Sequence, residues 1–156
     1  AEPCIGDLIM KVHEEEKVPH ITGYLSWYND PLTGNPYFET FPPVLETPNL
    51  YYCRGSQGIF LTFTREAVEK AGYMNIMSTH YGYEHILYSA RINRIFGHYP
   101  ELFPVLKTCN RYFGCQQIPN GYDVDPDGVK KNGQEYQKHI QDVYRGINLT
   151  VKNPGV

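Results

Sequence analysis

Residues 55–97 read GSQGIFLTFTREAVEKAGYMNIMSTHYGYEHILYSARINRIFG, and the order of parts in this stretch decides how the rest of the chain is read. Gly55 and Gly58 bracket a short turn between two strand segments, predicted over 51–54 and 58–63 from their apolar, β-favouring residues. Thr64 is a natural N-cap for a helix over 65–70, with Glu66 in its first turn and Gly72 at its stop. After a connector, a second helix is predicted over 83–96, ending at Gly97. Ile86, Leu87 and Ala90 give it an apolar stripe; Arg91 and Arg94 fall on another face and are expected to be solvated or salt-bridged. Glu84 then lies in the first turn, where the helix dipole favours a carboxylate available as a base. Gly82, just before it, lets backbone or ligand approach closely.

Upstream, Ile5, Leu8, Ile9 and Val12 recur at helical spacing and predict a helix over 5–18 that Pro19 stops. An apolar stretch over 20–27 predicts a strand. Residues 28–50 carry Asn29-Asp-Pro31, Thr33-Gly-Asn-Pro36 and Pro42-Pro43, so they are expected to be a long loop, which in a compact domain is usually functional. Downstream, the chain is expected to be irregular from Tyr99 to about Gly133. A last amphipathic helix is predicted over 134–145 on Ile140, Val143 and Tyr144.

The composition sets outer limits. A chain of 156 residues matches one domain of roughly 150 residues. At 41% hydrophobic and 20% charged it is globular rather than disordered. A balance of 14 basic against 17 acidic residues argues against a nucleic-acid partner, because phosphate contacts need a basic excess. No stretch of about 18 apolar residues occurs, so no membrane-spanning helix is expected. Tyrosine is used 14 times against a single tryptophan, Trp27. Trp27 and the tyrosines over 24–52 are candidates for a platform under a ring-shaped polar ligand, with core packing as the alternative. The four cysteines, Cys4, Cys53, Cys109 and Cys115, contain no Cys-x-x-Cys pair and leave three pairings open, so they point neither to zinc nor to a disulfide scaffold. Cys109 and Cys115 flank a short loop and are open either to a bridge or to a role as buried thiols. Asn148-Leu-Thr150 is a glycosylation sequon that acts only in a secretory compartment. Asp123-Val-Asp125-Pro-Asp127-Gly128 starts like a calcium loop, but Lys130 and Gln134 stand where an apolar residue and a Glu belong, which favours a solvated turn.

The ordered stretch resembles the C-terminal half of GT-A fold glycosyltransferases of the inverting family 2 type. The matching residues are Gly55, Gly58, Arg65, Glu66, Gly72, Tyr73, Asn75, Gly82, Glu84 and Arg91, within a likeness spanning residues 5–100. The resemblance implies a mixed α/β fold, the C-terminal portion of a nucleotide-diphospho-sugar transferase, with long irregular loops. It implies one domain over 1–156, a transferase-like core over 5–100, and a C-terminal extension over 101–156 carrying the terminal helix.

By the same resemblance, Glu84 stands at the catalytic base, which deprotonates an acceptor hydroxyl for attack on a sugar nucleotide with inversion. His85 replaces the usual second carboxylate and remains able to hydrogen-bond a hydroxyl. Gly55, Ser56, Gln57 and Gly58 stand at the loop that approaches donor and acceptor. Gly82, Trp27 and Arg91 complete the expected binding set. A divalent metal, manganese or magnesium, is implied, with His98 as the candidate ligand and His80 and His85 also available. The implied partners are a sugar nucleotide and a carbohydrate or glycoconjugate acceptor. The nucleotide-binding half of that fold, with its Asp-x-Asp, has no counterpart before residue 5, so it is expected from a longer precursor or a partner chain. The alternative is a non-catalytic module that binds carbohydrate or protein.

Overall fold

The computed structural model describes residues 4–23, 37–56, 60–75, 77, 83–109 and 125–152. Trp27, Gln57, Gly58, His80, Gly82, Cys115 and Asp123 lie outside them. The fold is mixed α/β and divides into two compact units, each built from two separate stretches: 1–64 with 101–116, and 65–100 with 117–156.

The first unit holds the sheet. Helix α1 (Ile5–Glu16) ends where Lys17 turns left-handed, at φ 54°. The expected stop at Pro19 therefore comes earlier, because the residue before a proline avoids the helical region and Val18 is already leaving it. Strands β1 (His20–Thr22), β2 (Pro43–Glu46), β3 (Leu50–Cys53), β4 (Leu61–Phe63) and β5 (Phe103–Leu106) form one sheet in the order β2-β3-β5-β1-β4. Only the β1–β5 pair is parallel; the other neighbours are antiparallel. Within the stretch expected to be a long loop, residues 37–50 hold a one-turn helix α2 (Tyr37–Thr40) and strand β2, exposed at the sheet edge.

Strand β5 lies at the centre of the sheet and is buried at every residue, although 99–133 read as irregular. Pro104 hides it from the sequence, since a proline removes a ladder donor and argues against a central strand. Its carbonyl is nonetheless used, accepting the Thr22 hydroxyl at 3.1 Å. Residues 103–106 thus complete the sheet. The apolar face of α1 packs Val12 onto Val18, Ile21, Leu50, Leu106 and Cys109, with Ile5, Leu8, Ile9 and Tyr52 at the margin. Each fully buried aliphatic side chain there contributes on the order of 2 kcal/mol. Cys53 sits in a smaller cluster with Val105, Phe41 and Tyr51, and burial pushes its thiol up to about 11.

The second unit is helical: α3 (Arg65–Ala71), α4 (Glu84–Ile95) and α5 (Pro126–Arg145). Helix α4 buries every residue from Leu87 to Asn93, so it is the central helix, packed by α3 and α5. Helix α5 starts eight residues before the expected 134. Asp125 caps it by accepting the Asp127 N–H at 3.1 Å, and Pro126 occupies its first turn. The Asp-rich segment from Asp125 onward is therefore a helix start, with Gly128 buried inside the helix, and not a solvated turn or a cation loop.

One contact in the sheet unit responds to pH. His13 of α1 donates Nδ1–H to the Val18 carbonyl at 2.7 Å and accepts the Thr62 hydroxyl at Nε2, 3.0 Å away. Burial lowers its pKa from 6.5, and the bond to Val18 offsets part of that shift. Below 6.5 the unfolded chain then binds the proton more readily than the folded one, so stability is lost as pH falls through that window. Thermal midpoints should decline from about pH 7 to about pH 5, and less steeply in His13→Gln; parallel curves for the two proteins would contradict this.

Candidate functional site

Glu84 is the first residue of α4. The residue before it, Tyr83, has φ 73°, a left-handed conformation that is uncommon for a bulky side chain and costs on the order of 1 kcal/mol. Two contacts hold it there. Its ring stacks on Tyr136 of α5 with centroids 5.1 Å apart. It also lies over Gly133, where an added Cβ would already meet the ring at 3.4 Å. Burial, with smaller contributions from Tyr144 and Tyr83, pushes the Tyr136 hydroxyl up to about 12. The Glu84 carboxylate is 39% exposed at the positive end of the helix dipole, and His85 Nδ1 stands 3.8 Å from its Oε1.

Two turns along the same face comes Arg91, and here the expectation of a solvated or salt-bridged face is overturned. Arg91 is 1% exposed. Its Nη1 donates to the Ala71 carbonyl at 3.2 Å and its Nη2 to the Tyr73 carbonyl. Tyr88 donates its hydroxyl to the Gly72 carbonyl at 2.8 Å. Helix α4 thereby caps the C-terminal end of α3, where carbonyls without helical partners carry the negative end of the dipole. Burial pushes the guanidinium down to about 10, with the neighbouring Tyr88 offsetting part of it. A second layer comes from beyond α5: Val151 N–H donates to Ala71, the Val151 carbonyl accepts from Tyr73, and Thr150 donates to the Lys70 carbonyl. Gly72, at φ 70°, is required in this knot, because any Cβ there would run into the Val151 carbonyl.

Beside the knot is a cavity of about 270 Å³. Asn75, Leu87 and Arg91 line it, with His139, Asp142 and Val143 of α5 and with Asn148, Thr150 and Val151. Asn148 donates from Nδ2 to Asp142 Oδ2 at 3.2 Å. The cavity escaped the sequence reading because Arg91 reads as a surface residue on an amphipathic helix. The sequon residues Asn148 and Thr150 drew notice only as a modification signal.

The other expected residues fall elsewhere. Gly55 and Ser56 belong to the sheet unit, just after β3; Gly55 lies flat under the Phe41 ring, and Ser56 is buried. His98 lies past the far end of α4, a helix about 18 Å long at twelve residues, so Glu84 and His98 are not brought together. Among the described residues no group of three or more His, Cys, Asp or Glu is placed to hold a metal ion. No family model, curated protein or solved structure matches the chain.

If Arg91 anchors the end of α3, Arg91→Met should remove about 3 kcal/mol of stability in urea unfolding, because the Tyr73 carbonyl loses a charged donor. Arg91→Lys should recover only part of it, since one ammonium does not span both carbonyls. A loss below about 1 kcal/mol in Arg91→Met would contradict the anchoring role.

Proposed function

We propose that residues 5–100 form the acceptor-side, base-bearing part of a GT-A type glycosyltransferase, with Glu84 as general base. The observation that carries this reading is the placement of Glu84: a half-exposed carboxylate on the first residue of a buried helix, entered through a constrained left-handed tyrosine. A base needs its carboxylate at a fixed position and open to the hydroxyl it serves. The chain order of β4, α3 and α4, with Gly72 at the α3 stop, supports the same reading.

In the proposed reaction, Glu84 takes the proton from an acceptor hydroxyl. The oxygen forms a bond to the anomeric carbon of a sugar nucleotide as the bond from that carbon to the diphosphate oxygen breaks. The nucleoside diphosphate leaves with the electron pair, and the configuration inverts. His85, next to the carboxylate, is placed to hydrogen-bond a second hydroxyl of the acceptor. Such an enzyme also requires a nucleotide-binding half, which residues 5–100 are not proposed to form.

Transfer should be measured with uridine- and guanosine-diphospho sugars in the longest precursor that contains this sequence. Glu84→Gln should lower kcat/KM by about a hundredfold or more, the usual contribution of a general base, while nucleotide binding by calorimetry stays unchanged. Transfer at the parent rate in Glu84→Gln would exclude Glu84 as the base. Absence of transfer from every nucleotide sugar in the parent would favour a non-catalytic binding module.

A further inference from the structure

We infer that Tyr136, with Tyr83 stacked on it, is a positioning residue for Glu84, a role in catalysis that rests on the reading of that carboxylate as a base. Helix α5 thereby belongs to the site although it lies outside residues 5–100.

Tyr83 is a poor residue for its local position. It is the N-cap of α4 and makes no side-chain cap hydrogen bond, whereas Asn, Asp or Ser there would satisfy one of the first N–H groups of the helix. It stands at φ 73°, where Gly or Asn is favoured. Both local preferences select against a tyrosine, so the contact made by its ring is what holds it.

That contact is with α5. The Tyr83 and Tyr136 rings stack with centroids 5.1 Å apart and planes 27° apart, within the range of favourable aromatic pairs. Gly133 and Tyr136 are three residues apart and share one face of α5. A β-carbon on Gly133 would already touch the Tyr83 ring at 3.4 Å. Glycine weakens a helix interior, so a third local preference gives way at the same place.

The contact acts on Glu84 through the main chain. The Tyr83 carbonyl accepts the Leu87 N–H at 2.9 Å and closes the turn that contains Glu84. A residue whose ring is held on α5 and whose carbonyl closes that turn fixes where the carboxylate is carried. Catalytic groups misplaced by about 1 Å lose much of their effect.

The test compares Tyr136→Ala with Tyr136→Phe, by amide hydrogen exchange in the full chain and by sugar transfer in the longest precursor. Alanine suits a helix interior and removes the ring; phenylalanine keeps it. In Tyr136→Ala the Leu87 amide should exchange about tenfold faster, the worth of one aromatic pair. The Phe96 amide, bonded to the Ile92 carbonyl at the other end of α4, should keep the parent rate. Tyr136→Phe should match the parent at both amides. In transfer, kcat should fall about tenfold in Tyr136→Ala with KM unchanged, and recover in Tyr136→Phe. Equal acceleration at Leu87 and Phe96, or none at Leu87, would overturn the proposal. So would a parent kcat in Tyr136→Ala beside a Glu84→Gln that has lost transfer. A selective rise at Leu87 with undiminished transfer in Glu84→Gln would uphold the contact and refute Glu84 as the base.

Discussion

The guanidinium of Arg91, set against the last carbonyls of α3, is the constraint on which the helical unit depends. Helix α3 has seven residues, too few to be stable alone. Its C-terminal carbonyls would be orphaned if they were buried without donors. Arg91 and Tyr88 supply those donors from α4, and Val151 supplies another from beyond α5. A charged donor suits this position because the helix end carries partial negative charge. Burying an arginine without a carboxylate is tolerable only where such acceptors surround it. Gly72 is the matching requirement on the other side of the contact.

The same arrangement fixes where α4 begins. With Arg91 holding the middle of α4, the first turn of that helix has a defined position. Tyr83, stacked on Tyr136 and seated over Gly133, sets how the chain enters it. Glu84 is thereby held at the helix start while remaining accessible to solvent. The Arg91 side chain also forms one wall of the cavity, so the residue that secures the fold shapes the pocket beside it.

Much of this was legible in the sequence, and the failures have physical causes. The periodicity of Ile5, Leu8, Ile9 and Val12 gave α1, and the glycines at 72 and 97 marked helix ends where both residues adopt positive φ. Strand β5 was missed because Pro104 contradicts a central strand, and tertiary pairing on both sides outweighs that local cost. The start of α5 was missed because Gly128 and Gly133 weaken its helical signal; both are packing positions rather than breaks. Arg91 was placed on the surface because a helical stripe records hydrophobicity and does not register a buried cation capping a neighbouring helix. Glu84 falls on the first residue of α4, as the local signal of a carboxylate at a helix start predicts. The cavity was not legible, because its walls come together only when residues 75, 91 and 142 are folded against one another.

The central claim concerns the position of one carboxylate. The most direct measurement is a crystal structure of the longest precursor with a nucleoside diphosphate and a bound acceptor. The account predicts an acceptor hydroxyl within about 2.6–3.2 Å of a Glu84 carboxylate oxygen, the reach of a general base. An acceptor whose reacting hydroxyl faces a different carboxylate or imidazole, with Glu84 turned to solvent, would contradict it.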